Sequence, residues 1–123
     1  YLREVRKHQG FMIPGPAQVA GIAALSDQNH VEVQKGLYFE RLSRLITIFK
    51  TLGIEAVMPE GSFYLWIDVP ANDEWKLVET LAKNLGMVVT PGEFFGEKGK
   101  GNIRVAAVAT EDRIQLLEQR AGV

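Results

Sequence analysis

The feature that most constrains this chain is an alternating run between Gly61 and Pro70. Every second residue of the run is large and apolar: Phe63, Leu65, Ile67 and Val69. The residues between them are Tyr64, Trp66 and Asp68. Because successive side chains of a β-strand point to opposite faces, this period of two predicts a strand with one buried face. The chain therefore needs a sheet and a second layer that covers one side of it.

Helical periodicity predicts that second layer. The longest helix is expected over residues 30–52, where apolar residues recur three and four positions apart. Another should run from about Ala17 to residues 26–29, packed on several sides because small apolar residues cover most of its circumference. A third should begin with Asn72 or Asp73 as its cap and end before Gly86, and a last one should begin at Thr110.

Three further strands are expected, over residues 54–58, 87–90 and 102–109. The glycine-rich segment 91–101 should be a long loop, held down by the burial of Phe94 and Phe95. Three or four strands mixed with four or five helices predict a sheet with one face covered by helices.

The first eight residues are typical of the end of a helix. Three basic residues lie shortly before Gly10, where cations offset the negative end of the helix dipole and glycine tolerates a left-handed cap. We therefore expect a piece of a longer protein. The alternative is a short N-terminal helix that docks on the domain.

Composition excludes several partners and sites. A net charge of -1 creates no field that would attract nucleic acid or an anionic membrane surface. No apolar segment reaches the 18 residues that a membrane span requires. The absence of cysteine excludes disulfides and thiolate sites, and is consistent with a reducing, cytoplasmic compartment.

Known catalytic and binding motifs do not match. The segment 96–101 fails as a phosphate loop, because Phe94 stands where the first glycine is required and Gly101 where a hydroxyl should bind magnesium. The two histidines have no partner at metal-ligand spacing, so no metal site is predicted. Ser62 lacks the flanking glycines and the histidine of a nucleophile motif, and no catalytic triad is assigned.

Arg104 is the one residue that suggests a binding site. It lies on the same face of the strand over 102–109 as Ala106, and small neighbours leave space around a guanidinium that can bind a carboxylate through two hydrogen bonds. The alternative is an arginine on the solvent face of a half-exposed sheet, which composition alone favours. The residues themselves leave both interpretations open.

Three motifs in a fixed order carry a resemblance to a known family. They are GSFYLW from Gly61, TPGEFFG from Thr90 and NIRVA from Asn102. Together they resemble the C-terminal small domain of class I/II, fold-type I, pyridoxal-phosphate-dependent aminotransferases. The segment PGPAQ from Pro14 and the two helices after it are similar to that family's return from the large domain. Within the family the chain is most similar to succinyldiaminopimelate transaminases.

The resemblance implies an α+β fold, a two-layer small domain with a three- to four-stranded, mainly antiparallel sheet covered by helices. It implies that residues 1–16 are the end of a large-domain helix with its connector and that residues 17–123 are the small domain. Arg104 matches the arginine that grips the substrate α-carboxylate. Phe63 matches a position near the substrate entrance, although its apolar strand face equally favours a place in the core.

The resemblance also implies what this chain lacks. The lysine that forms the Schiff base with pyridoxal 5'-phosphate, the aspartate beside the pyridine nitrogen and the phosphate-binding loop belong to the large domain. We therefore expect no catalytic or cofactor-binding residue here, no cofactor bound to this chain alone, and no transamination by it. Around residues 17–25, surface that is normally covered in the family is expected to be exposed.

The parent protein is expected to be a homodimeric enzyme that transfers an amino group between an amino acid and a 2-oxo acid. Glutamate and 2-oxoglutarate are the expected pair with which the amino group is exchanged. The expected pathway is the biosynthesis of diaminopimelate and lysine. A different class of function remains as the alternative: a free-standing regulatory α+β module in which Arg104 senses an anionic metabolite.

Overall fold

A computed structural model describes residues 1–123, apart from the side chain of Asn72. The described residues form five α-helices and three strands. The helices are α1 (Leu2–His8), α2 (Gly15–Ser26), α3 (Gln28–Thr51), α4 (Glu74–Leu85) and α5 (Glu111–Ala121). The strands are β1 (Tyr64–Asp68), β2 (Thr90–Pro91) and β3 (Asn102–Ala106). Short 3₁₀ turns span Pro70–Asn72, Gly92–Phe95 and Glu97–Gly99.

The chain divides into two compact units, Tyr1–Gln34 and Lys35–Val123. The first holds α1, α2 and the beginning of α3. No residue of α2 is buried, and Val19, Ile22 and Leu25 are exposed. The expectation that α2 packs on several sides is therefore wrong, because an apolar circumference produces burial only where other surfaces are available to cover it. The expected exposure around residues 17–25 is confirmed. The boundary between residues 16 and 17 stays a prediction.

The second unit is built on a three-stranded antiparallel sheet in the order β1-β3-β2. Its buried face carries the alternate residues predicted from the sequence, Leu65 and Ile67, beside Ile103 and Val105 of the central strand. Helices α3, α4 and α5 supply Leu42, Leu45, Ile48, Phe49, Leu81, Leu85 and Ile114 to the buried core, and the segments next to the strands add Val69, Met87, Val89 and Ala107. The predicted α+β fold, with an antiparallel sheet and a helical layer, is confirmed.

The predicted strand over residues 54–58 is wrong, since these residues form no ladder. The alternation that suggested a strand is nevertheless real, because Ile54, Ala56 and Met58 pack against the core while the residues between them are exposed. A strand also requires a neighbouring strand with free backbone groups. The other two strands exist but are shorter than predicted, β2 occupying only Thr90–Pro91 and β3 ending at Ala106.

The segment after β2 is ordered in a different way from the one expected. Phe94 and Phe95 are 67% and 49% exposed, so the prediction that aromatic burial anchors this loop is wrong. It consists instead of two 3₁₀ turns whose backbones touch at Gly92 and Gly99. The indole Nε1 of Trp75, in α4, also donates a hydrogen bond of 2.8 Å to the carboxylate of Glu93.

Helix ends follow the sequence more closely. Gly86 follows α4 in the left-handed conformation, with φ 70°, as a glycine C-cap predicts. Asp73 is the N-cap residue of α4 but its side chain makes no capping hydrogen bond, and the side chain of Asn72, the other predicted cap, lies outside the described residues. Thr110 is the N-cap residue of α5.

Candidate functional site around Arg104

Arg104 lies in the middle of the central strand of the sheet. Its backbone is paired with Trp66 of β1 on one side and with Thr90 of β2 on the other. A central strand is held along both edges, so the position of its Cα is well defined. The side chain leaves the sheet on the face opposite the helical layer, where Trp66 and Asp68 are exposed.

Two aromatic rings flank the guanidinium. The Cζ atom of Arg104 lies 4.4 Å from the centroid of the Tyr64 ring and 4.4 Å from that of the Phe95 ring. Both distances are within the range of a cation–π interaction. The Nε atom is buried and has no hydrogen-bond partner among the described residues. Besides the small neighbours expected on its own strand, Arg104 therefore has two rings from other segments beside its side chain.

Arg104 is not neutralised by the rest of the described chain. None of the ion pairs found there involves Arg104. Arg44, by contrast, binds Glu111 and Glu118, and Lys100 binds Glu97. A half-buried guanidinium without an anionic partner among the described residues favours an external anion, and its fork of donors matches a carboxylate or a phosphate group.

Phe63 lies one ring away from this site. It stacks on Tyr38 at a centroid distance of 5.0 Å and contacts Tyr64 at 4.3 Å. Its side chain is half-buried and does not belong to the buried core. The rings of Phe63 and Tyr64 thus form a row that leads to Arg104, and a role for Phe63 at the substrate entrance stays a prediction.

Tyr64 and Phe95 are neighbours of the guanidinium that the sequence did not predict. For Tyr64 a signal existed, because pairing the alternating run antiparallel to the NIRVA strand places its polar face beside Arg104. For Phe95 no periodicity could have served, since the residue lies in a 3₁₀ turn whose path is set by backbone contacts.

Comparison with known proteins identifies the family. The family model described as aminotransferase class I and II matches residues 1–119. This chain belongs to the class I and II aminotransferases. A transaminase of Streptomyces rimosus that acts on 4-dedimethylamino-4-oxo-anhydrotetracycline is 41% identical over 119 residues, which cover 97% of this chain and 33% of that protein.

Other members of the family agree in fold and vary in their substrates. An LL-diaminopimelate aminotransferase of Natranaerobius thermophilus is 34% identical over 108 residues, covering 85% of this chain and 28% of that protein. The crystal structure of an aminotransferase from Neisseria meningitidis superimposes with a TM-score of 0.79 at 30% identity, covering 96% of this chain and 32% of that one. The chain thus spans about a third of the length of these aminotransferases.

The described residues do not fit a pyridoxal phosphate site of their own. A lysine that forms a Schiff base at neutral pH needs a pKa lowered by burial or by a nearby cation. All seven lysines are exposed, and the hydrogen bond to Glu97 raises the pKa of Lys100.

No group of three metal-binding side chains occurs in the described part of the chain, and none of its helices is long and apolar enough to cross a membrane. What this part of an aminotransferase offers is the half-buried guanidinium of Arg104, which has no ion-pair partner among the described residues.

Proposed function

We propose that this chain is the substrate-clamping small domain of a pyridoxal-phosphate-dependent aminotransferase, and that Arg104 binds the α-carboxylate of its amino-acid and 2-oxo-acid substrates. The observation that carries the proposal is the half-buried guanidinium of Arg104, which has no ion-pair partner among the described residues and lies on the sheet face opposite the helices. Two parallel hydrogen bonds to a carboxylate would orient the substrate for transfer of its nitrogen.

The remaining parts of the reaction are assigned to residues outside this chain. Pyridoxal phosphate, when bound by them, supplies the electron sink for amino transfer. The whole enzyme is proposed to be a cytoplasmic homodimer that exchanges nitrogen with the glutamate/2-oxoglutarate pair. Binding of a carboxylate to Arg104 would favour closure of the small domain over the substrate. The family matches do not support the alternative of a free-standing regulatory module.

The substrate is proposed to be N-succinyl-diaminopimelate, in the biosynthesis of diaminopimelate and lysine. Relatives named LL-diaminopimelate aminotransferase support this chemical class. Steady-state kinetics of the complete enzyme with 2-oxoglutarate as acceptor should give a higher kcat/KM for the N-succinylated donor than for free LL-diaminopimelate. A preference for the free diamino acid, or for neither, would contradict this assignment.

The role of Arg104 is tested by substitution in the complete enzyme. Arg104→Ala should lower kcat/KM for every carboxylate substrate at least tenfold, about 1.4 kcal/mol of transition-state stabilisation. Arg104→Lys should also be impaired, because an ammonium cannot form the two-pronged contact. The control is Arg113→Ala, which removes an exposed arginine of α5. Kinetics of Arg104→Ala equal to those of the wild type would remove Arg104 from the site.

A further inference from the structure

Two aromatic rings, from segments on either side of the central strand, lie against the guanidinium of Arg104. The Tyr64 ring and the Phe95 ring each lie 4.4 Å from Cζ. A single ring would leave the group free to tilt away from it, whereas two rings that both contact it limit how far the guanidinium can turn. We call the space between the Tyr64 and Phe95 rings the slot. Arginine suits it because its charged group is flat and delocalised.

The two rings come from different segments, and each is braced by a further ring. Tyr64 begins β1 and contacts Phe63 at a centroid distance of 4.3 Å. Phe95 ends a 3₁₀ turn and meets the indole of Trp66 edge to face at 5.7 Å. The slot is therefore assembled by the tertiary fold and does not depend on the rotamer of one neighbour.

Core packing does not explain why Phe95 is there. Its side chain is 49% exposed and lies outside the buried cluster. Its ring contacts in the described structure are with Arg104 and Trp66, on the sheet face opposite the helices. Within the described residues this ring contacts a cation and one indole, which points to an effect of Phe95 on that cation.

The slot also determines which donors remain for a ligand. The Nε–H of Arg104 is buried without an acceptor among the described residues, so a ligand from solvent does not reach it. The two terminal nitrogens, Nη1 and Nη2, are not among the buried atoms that lack a hydrogen-bond partner. Together they form one edge of the guanidinium. A carboxylate would meet that edge end-on, through one hydrogen bond from each terminal nitrogen.

We infer that Tyr64 and Phe95 are positioning residues, which hold the guanidinium plane of Arg104 so that its terminal nitrogens present a fixed edge to the substrate carboxylate. The inference rests on the proposed function of Arg104. It assigns to each ring a role in substrate affinity that acts through the arginine, and it predicts that the ring face matters while the tyrosine hydroxyl does not.

The test uses the complete enzyme with glutamate and 2-oxoglutarate as probes. Phe95→Leu and Tyr64→Leu should each raise the KM of both probes at least fivefold, while kcat at saturation falls less than the KM rises. Phe95→Tyr and Tyr64→Phe keep the ring faces and should restore values within twofold of the wild type. The matched control is Phe94→Leu, an exposed neighbour whose ring meets Trp75 and not Arg104, and it should leave both constants unchanged.

The possible results separate this inference from the proposed function. If Arg104→Lys is impaired but both leucine variants behave like the wild type, the rings do not position the arginine and the inference is wrong. The same holds if Phe95→Leu lowers kcat and leaves KM unchanged, or if Phe94→Leu is equally impaired. If Arg104→Lys itself has wild-type kinetics, the proposed function fails, and the inference fails with it. Should Tyr64→Leu not fold, the half-exposed Phe95 decides the question alone.

Discussion

Two glycines without side chains place the turn that carries Phe95. A Cβ atom on Gly92 would overlap the carbonyl oxygen of Gly99 and would lie 2.8 Å from that of Asn102. A Cβ atom on Gly99 would in turn overlap the carbonyl oxygen of Gly92. Both glycines are buried, so two backbone segments touch directly where any other residue would separate them.

Gly92→Ala is therefore expected to destabilise the fold by more than about 2 kcal/mol, because the clash is with backbone that cannot rotate away. Chemical denaturation of this chain would measure the loss as a lower midpoint. The control is Gly61→Ala, whose added methyl group would meet nothing within 4 Å. A Gly92→Ala variant as stable as Gly61→Ala would show that the two backbones separate easily.

At the scale of elements, one arginine ties α3 to α5. The Nε of Arg44 donates to Glu118 at 2.6 Å and Nη2 donates to the other oxygen of the same carboxylate at 2.8 Å, while Nη1 donates to Glu111 at 2.7 Å. The side chains of Arg44 and Glu118 are about four-fifths buried. These hydrogen bonds lower the pKa of the Glu118 carboxyl and that of Glu111.

A carboxyl whose folded-state pKa is depressed contributes stability above its unfolded pKa, about 4.3 for glutamate, and loses it as the pH falls through the lower folded value. Arg44→Met should therefore lower the free energy of unfolding at pH 7 by about 1 kcal/mol. It should also flatten the decrease in stability below about pH 4.3. Denaturant titrations between about pH 3 and 7 would measure both effects.

The control for this prediction is Lys83→Met. Lys83 pairs with Glu79 one turn away on the exposed surface of α4, and such pairs contribute little to stability. A pH dependence that is the same in Arg44→Met and in the wild type would mean that the α3–α5 contact does not depend on these charges.

At the scale of the whole molecule, the chain covers about a third of the aminotransferases to which it is similar. The chain on its own is predicted to be inactive, because its lysines are exposed and none has the environment of a Schiff-base lysine. Incubation with pyridoxal phosphate, borohydride reduction and mass analysis should show scattered, substoichiometric labelling of surface lysines. Stoichiometric labelling of one lysine, or measurable transamination, would contradict this prediction.

Local sequence patterns predicted the features that depend on the periodicity of one element or on the conformation of one residue. The alternation in β1 predicted its buried face, because successive side chains of a strand point to opposite faces of the sheet. Gly86 predicted the end of α4, since only glycine enters the left-handed region there without strain. The same reasoning put Arg104 and Ala106 on one face of β3 and Ile103 and Val105 on the other, and the structure confirms this alternation.

Long-range contacts decided the rest. Residues 54–58 alternate like a strand but have no partner strand, and whether backbone groups find partners depends on where the rest of the chain runs. Phe95 reaches Arg104 only because Gly92 and Gly99 bring two backbones together. Periodicity in the sequence predicts which face of its own helix or strand a residue lies on. What lies opposite that residue is determined by packing between segments distant in sequence. This is why the sequence singled out Arg104 as a candidate and only the tertiary structure showed the two rings beside it.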